Sequence, residues 1–365
     1  MVVQVLNSGD LRGGEVFALR LANELGFRKF ITRFVILDGV GHRALRSAGY
    51  VSDVNVRLPR VFRWIWASRR IARQSRLVGK KKFIVQANIG DTLWAGVLAS
   101  LFIGKKRMAL VYRHGNISSY WLSGSRVRRC IYRWLFEQCD VIATLSPETH
   151  TDLKEIFPGL RVEVCEIPNG VPFPKGHGAV RPSLCREVIL HVGAFVPEKN
   201  HAGLLRVFSN VLRARPEAEL WLVGEGTEML AAQQLADELK IAPKVFFLGR
   251  RDDVPELMSQ AKVFLLPSFV EGQPAVVIEA MLMSLPVVAY DVGSLRSMLG
   301  DDRGVLVPAR DEHRAAQEVV KLLGANSAEW NSMCSNAKVY AEDRYAMSVV
   351  ADKFAELYER LAVAR

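Results

Sequence analysis

The sequence predicts an α/β protein of two doubly wound, parallel-sheet domains. Short apolar runs alternate with segments of helix length, the pattern of strands joined by helical crossovers. The alternation is interrupted in the Gly- and Pro-containing stretch 167–182 and then restarts. The 365 residues are too many for one simple core and enough for two of ordinary size. These observations set an N-terminal domain over 1–172, a linker over 173–182, a second domain over 183–345 and a terminal helical segment over 346–365.

In the first half, Val2 to Leu6, Arg33 to Leu37, Phe83 to Gln86, Ala109 to Tyr112 and Val141 to Leu145 read as strands. After the first comes a polar loop ending in Gly13-Gly14, then an amphipathic helix starting near Glu15. In such sheets ligands bind beyond the carboxyl ends of the strands, where this loop belongs. Gly13-Gly14 does not complete a Gly-x-Gly-x-x-Gly fingerprint, so no dinucleotide site is indicated. The run ending in Tyr112-Arg113-His114-Gly115-Asn116 places a polar cluster at another strand end. In the second half, Val188 to Val192, Glu219 to Val223, Val245 to Leu248, Val263 to Leu266 and Val287 to Tyr290 are the strands, and Met347 to Ala364 is the last helix.

Composition narrows the function. Half the residues are hydrophobic and a quarter charged, which suits a globular chain. Five cysteines without a Cys-x-x-Cys pair suggest neither a disulfide framework nor a zinc site, and a reducing cytoplasm fits them best. The chain opens directly on an apolar strand, so export is not expected, and its longest apolar segment, 92–104, is too short to span a bilayer. The net charge of +11 is asymmetric: residues 1–175 carry 28 Lys+Arg against 13 Asp+Glu, or +15, leaving −4 for the rest.

The chemistry concentrates in PSFVEGQPAVVIEAMLMSLP, 267–286. A buried strand ends there, a Gly-containing loop follows, and a helix begins with Pro274 suited to its first position. Around Gly272, Gln273, Pro274, Ala275 and Val276, backbone amides at a positive helix terminus make a ready anion site. Glu271 and Glu279 flank it with seven residues between them, and carboxylates accept well from vicinal hydroxyls. An anion and a polyol together suggest a sugar nucleotide.

Glu271-Gly272 and Glu279-Ala280-Met281, followed by Leu285-Pro286-Val287-Val288-Ala289, resemble the Glu-x7-Glu signature of glycosyltransferase family 4, retaining enzymes of GT-B fold. The resemblance implies two facing Rossmann-like domains with an interdomain cleft, acceptor in the first and nucleotide-sugar donor in the second. It also implies that the last helix returns to brace the first domain. Gly13-Gly14 resembles the family's glycine pair near the donor diphosphate, His114 its histidine near the transferred sugar, and Ile167-Pro168-Asn169-Gly170-Val171 its hinge entry. The loop Gly193 to Asn200 resembles the one that carries an Arg and a Lys to the diphosphate; Lys199 matches the lysine, but Ala194 stands where the arginine is usual. Arg12, Arg113 or a backbone amide are the candidate substitutes. Strand ends at Gly224 and around Arg250 match the family's nucleoside border.

On this resemblance Lys199 and the amides of 272–276 stabilise the leaving diphosphate, Glu271 orients the sugar and Glu279 holds the ribose. Configuration is retained, with the diphosphate helping to take the acceptor's proton. No Asp-x-Asp triplet occurs and the histidines are scattered, so neither a metal nor another cofactor is expected. A glycoside hydrolase also uses two carboxylates but needs no cation for a diphosphate. A sugar-nucleotide epimerase of the same fold is a nearer alternative. A basic nucleic-acid-binding protein is a third, although no nucleic-acid motif supports it.

Residues 57–82 hold ten Lys/Arg and no Asp or Glu. A helix there would set Trp64 and Trp66 beside Arg63, Arg69, Arg70 and Arg73, a composition that suits the interface of an anionic bilayer. A second basic-aromatic patch joins Arg126, Arg128, Arg129 and Arg133 to Trp121 and Trp134. The expectation is a peripheral enzyme on the cytoplasmic face acting on a lipid-linked glycan, in cell-surface polysaccharide or glycolipid synthesis, with no nucleic-acid partner.

Overall fold

A computed structural model describes residues 1–8, 13–39, 43–53, 59–79, 82–122, 124–173, 186–325 and 327–363. It divides into two compact units, Met1–Pro172 with Tyr345–Arg365, and Phe173–Arg344. Most of the expected linker, and Arg12, lie outside the described residues.

The first unit runs β1 Val2–Ser8, α1 Gly13–Phe27, β2 Thr32–Asp38, α2 Arg43–Ala48, β3 Tyr50–Asp53, α3 Arg60–Ser75, β4 Phe83–Asn88, α4 Thr92–Ile103, β5 Met108–His114, α5 Ser118–Trp121, α6 Arg126–Glu137, β6 Val141–Thr144, α7 Pro147–Ile156 and β7 Glu163–Glu166. Its sheet is parallel, in the order β3-β2-β1-β4-β5-β6-β7. Two of these strands have no counterpart in the sequence reading. β3 is only four residues long. β7, Glu-Val-Cys-Glu, is an edge strand whose polar residues hide the apolar signal, and its Glu163 pairs with Arg360 of the last helix.

Strand alternation sorts the core by face. Val3, Val5, Val35, Phe83, Val85 and Leu110 pack under α3, α4 and α6. Val2, Ile84, Ala109 and Val111 face α1 and the final helix. A buried polar chain crosses that second face: Gln86 Nε2 donates to Asn88 Oδ1 at 2.9 Å, and Asn88 Nδ2 donates to Gln4 Oε1 at 2.8 Å. Tyr358 of the final helix donates its hydroxyl to Gln86 Oε1, which docks that helix in one register, since each buried polar group needs its partner.

The second unit continues with β8 Val188–Val192, α8 His201–Ala214, β9 Glu219–Val223, α9 Met229–Glu238, β10 Val245–Gly249, α10 Val254–Gln260, β11 Val263–Leu266, α11 Ala275–Leu282, β12 Val287–Tyr290, α12 Leu295–Leu299, β13 Val305–Val307, α13 Glu312–Leu323 and α14 Ser327–Tyr345; α15, Met347–Val363, rejoins the first unit. The parallel order is β10-β9-β8-β11-β12-β13, so the chain reverses its winding between β8 and β11. Crevices at such switch points are where open α/β sheets bind ligands. The unforeseen strand is β13, three residues long.

Candidate functional site: the loops after β8 and β11

The two loops that leave the switch point of the second sheet are fastened to each other. Asn200 adopts the left-handed conformation (φ 53°), caps α8 by accepting from Gly203 N–H at 3.0 Å, and donates its Nδ2 to Pro267 O at 3.0 Å. Phe269 N–H donates to Glu198 O at 2.8 Å. Between these clamps Lys199 Nζ lies 2.6 Å from Glu271 Oε1, with side chains 20% and 7% exposed. An ammonium has three N–H donors, so one spent on Glu271 leaves two for another acceptor.

Glycines allow the strand ends to approach. Gly193 N–H donates to Val223 O and Gly224 N–H to Gly249 O, both at 2.9 Å. A Cβ on Gly224 (φ +138°) would stand 2.0 Å from Gly193 O, and one on Gly293 (φ +53°) 1.8 Å from the carbonyl oxygen of Glu271. A side chain at either position would displace the backbone that carries the site. Arg250 is exposed beyond β10, Ala194 is exposed beyond β8, and Glu279 is half-buried on α11.

Pro274 departs from its expected place. With φ −73° and ψ 112° it is the residue capping α11 rather than its first helical residue. Val277 N–H already donates to Pro274 O, so the amides of Ala275 and Val276 are those that precede the helical ladder. Gln273 is buried beside them, and Ser268 is fully buried with its Oγ unpartnered among the described residues.

Behind Lys199 stand two buried histidines that the sequence reading passed over. His191 Nδ1 is 2.8 Å from Leu265 O, and the His201 ring stacks on Phe195 with centroids 3.9 Å apart. Burial pushes both below the ordinary histidine value, to about 3 for His191 and about 4 for His201; the Lys199 charge acts in the same direction on each. Both are therefore neutral near pH 7. Arg310 is a further residue without a sequence signal: it lies beyond β13, its guanidinium 5.2 Å from the Phe269 ring centroid.

In the first unit, Gly13 and Gly14 are not loop residues but the opening turn of α1, and a Cβ on either would meet nothing within 4 Å. His114 is fully buried at the end of β5, packed against Tyr112 and Phe136, with Nε2 2.9 Å from Ser118 Oγ. Burial lowers its pKa to about 4, and the geometry makes it a neutral anchor for α5. Arg113 is likewise enclosed, its guanidinium 3.8 Å from the Phe17 ring centroid and donating to Asn169, so it offers no open cation in place of the arginine missing at 194.

The basic helix α3 also differs from the expectation. Trp64 stacks on Trp94 (5.0 Å, 6°), and Trp64 and Trp66 pack against the core rather than toward solvent. Arg63 pairs with Asp38, and Arg70 covers Trp66 at 4.1 Å. Of the six residues expected on a membrane surface, Arg69 and Arg73 are exposed. The cause is amphipathicity: the later turns of α3 bury Ala67 and Ile71 against the core and partly cover Trp64 and Trp66, while its first turn leaves Val61 and Phe62 exposed. No described helix is long and apolar enough to cross a membrane.

Comparison with known proteins agrees with this architecture. The family described as Glycosyltransferase Family 4 matches residues 11–173, and that described as Glycosyl transferases group 1 matches 186–325. The chain belongs to the family 4 glycosyltransferases. An uncharacterized glycosyltransferase of Haemophilus influenzae is 31% identical over 231 residues, 62% of this chain and 63% of that protein, so the match spans a little under two thirds of that relative's length. A GDP-mannose-dependent monoacylated alpha-(1-6)-phosphatidylinositol monomannoside mannosyltransferase of Corynebacterium glutamicum is 24% identical over 297 residues, covering 74% of this chain and 76% of the relative. Among solved structures, Anabaena Alr3699/HepE in complex with UDP and glucose superposes with a TM-score of 0.81 at 20% identity, over 98% of this chain and 99% of that one. The fold of this family member is GT-B, two parallel-sheet α/β domains.

Proposed function

We propose that the protein is a retaining, metal-independent glycosyltransferase that moves a sugar from a nucleotide-sugar donor to a lipid-linked glycan, as a peripheral enzyme on the cytoplasmic face of the membrane. The observation that carries the reading is the Lys199–Glu271 pair, held between two clamped loops at the switch point of the second sheet. Breaking an anomeric C–O bond builds positive charge on the sugar and negative charge on the departing diphosphate. Lys199 and the first amides of α11 supply donors to the diphosphate, where they count for more in the transition state than in the ground state. Glu271 orients the sugar hydroxyls, and Glu279 holds the ribose. The glycine strand ends at 193 and 224, with Arg250, border the nucleoside. Support for a lipid-linked acceptor comes from the Corynebacterium relative, whose name places its sugar on a phosphatidylinositol mannoside, and from the basic N-terminal half. Cell-surface polysaccharide or glycolipid synthesis is the corresponding role.

The test is a panel of UDP-, GDP- and ADP-sugars, read by thermal stabilisation and by transfer to a lipid-extract acceptor with and without EDTA. One donor class should raise Tm and support transfer equally in both buffers. Stabilisation by none, or activity abolished by EDTA and restored by Mg²⁺ or Mn²⁺, would refute the donor or the metal-independent part respectively.

A further inference from the structure

We propose that the outward face of α6 is the surface that inserts into an anionic lipid leaflet, an inference that rests on the peripheral-enzyme reading above and moves its docking element from α3 to α6. A surface helix in a globular protein ordinarily has one apolar stripe, turned inward. α6 has two. Leu135 and Phe136 enter the core, while Val127, Ile131 and Trp134 remain 69%, 39% and 46% exposed. Their spacing of four and then three residues sets them on one face, and exposed Cys130 lies among them.

The charges around the stripe select the occupant. Arg126 and Arg128 flank it and are exposed, and α6 carries no acidic residue before Glu137 at its last position. The helix layer extends the surface, because α3, α4 and α6 pack on one core cluster and α4 touches both neighbours. The end of α4 exposes Leu101 (58%) and Phe102 (71%), followed by exposed Lys105 and Lys106, and α3 with the turn after it adds exposed Arg69, Arg73 and Arg76. An apolar strip within a cationic field fits acyl chains beneath anionic headgroups. A second copy of this chain would bring the same positive field against itself, and a neutral partner would leave the arginines uncompensated.

The full chain is tested by sedimentation with phosphatidylcholine vesicles and with phosphatidylcholine/phosphatidylglycerol vesicles. Two variants are compared with it, Val127→Ser/Ile131→Ser/Trp134→Ser on α6 and Arg69→Glu/Arg73→Glu on α3, each checked for an unchanged Tm. Wild type should pellet with the anionic vesicles and release as salt rises, and the α6 variant should lose that binding. Trp134 should be quenched by brominated acyl chains, and Trp134→Phe should remove that share of the quenching. An α6 variant that pellets like wild type, whether or not the α3 variant fails, overturns the assignment to α6 and leaves the peripheral reading standing. Wild type that binds neither vesicle overturns both. A wild-type dimer in sedimentation velocity that the α6 variant dissolves would make the stripe an interface between copies and overturn the proposal.

Discussion

Replacing Lys199 by Ala tests the site most directly, because it separates stability from chemistry. Glu271 keeps 7% of its side-chain exposure and its Oε1 lies 2.6 Å from Lys199 Nζ, so the substitution leaves a buried carboxylate without its cation. Breaking a fully buried pair costs roughly 3–5 kcal/mol; since Lys199 retains 20% exposure, solvent screens part of it and about 2–3 kcal/mol is expected. For a domain of this size that corresponds to a Tm lower by about 4–12 °C. Adding Glu271→Gln removes the stranded charge and should recover most of the loss, a coupling that a double-mutant cycle reads. Activity should not follow. Loss of a preorganised cation lowers kcat/KM by about 10²-fold or more, and the double variant should remain at least as impaired. Calorimetry on the four proteins with steady-state rates checks both. If Lys199→Ala melts and turns over like wild type, or the double variant regains activity along with stability, the pair is not the centre of the site.

Gly293→Ala should reduce activity by an order of magnitude or more with the second sheet intact, because its Cβ would stand 1.8 Å from the Glu271 carbonyl; full activity would show that the Glu271 loop tolerates displacement. Glu279→Gln should chiefly raise donor KM with kcat little changed, since a ribose contact persists from ground state to transition state. His191 and His201 are held neutral in the folded protein, while near pH 6.5 and below the unfolded chain takes up protons there. Stability should therefore be complete above pH 6.5 and fall as pH drops toward about 4, by up to ~1.4 kcal/mol per pH unit for each histidine. His201→Phe should shrink the difference in urea midpoint between pH 7 and pH 5, and an undiminished difference would assign the acid sensitivity to other groups.

Much of the site is local in origin and therefore legible. A strand ending at Leu266, a Gly-containing loop and a helix beginning within a residue of Pro274 are set by the backbone preferences of neighbouring residues, and so are the glycine-ended strands at 193 and 224. The alternation of apolar runs and helix-length segments specified two parallel sheets, because consecutive parallel strands require a crossover. The short strands β3 and β13 and the polar edge strand β7 carry too little apolar signal to be seen alone.

Tertiary structure decided which residues meet and which side chains turn inward. The Lys199–Glu271 ion pair spans 72 residues and exists because β8 and β11 are neighbours across the switch point, an order that no local period encodes. Asn200 and Gly293 look like ordinary turn residues until the loops they join are placed side by side. His114 became an anchor because aromatic rings close over it, and Trp64 and Trp66 became packing residues because α3 lies on the sheet with that side down. A sequence displays the amphipathicity of a helix, as α3 and α6 both do. Only packing determines which apolar side chains the core covers and which, like Val127, Ile131 and Trp134 on α6, stay exposed.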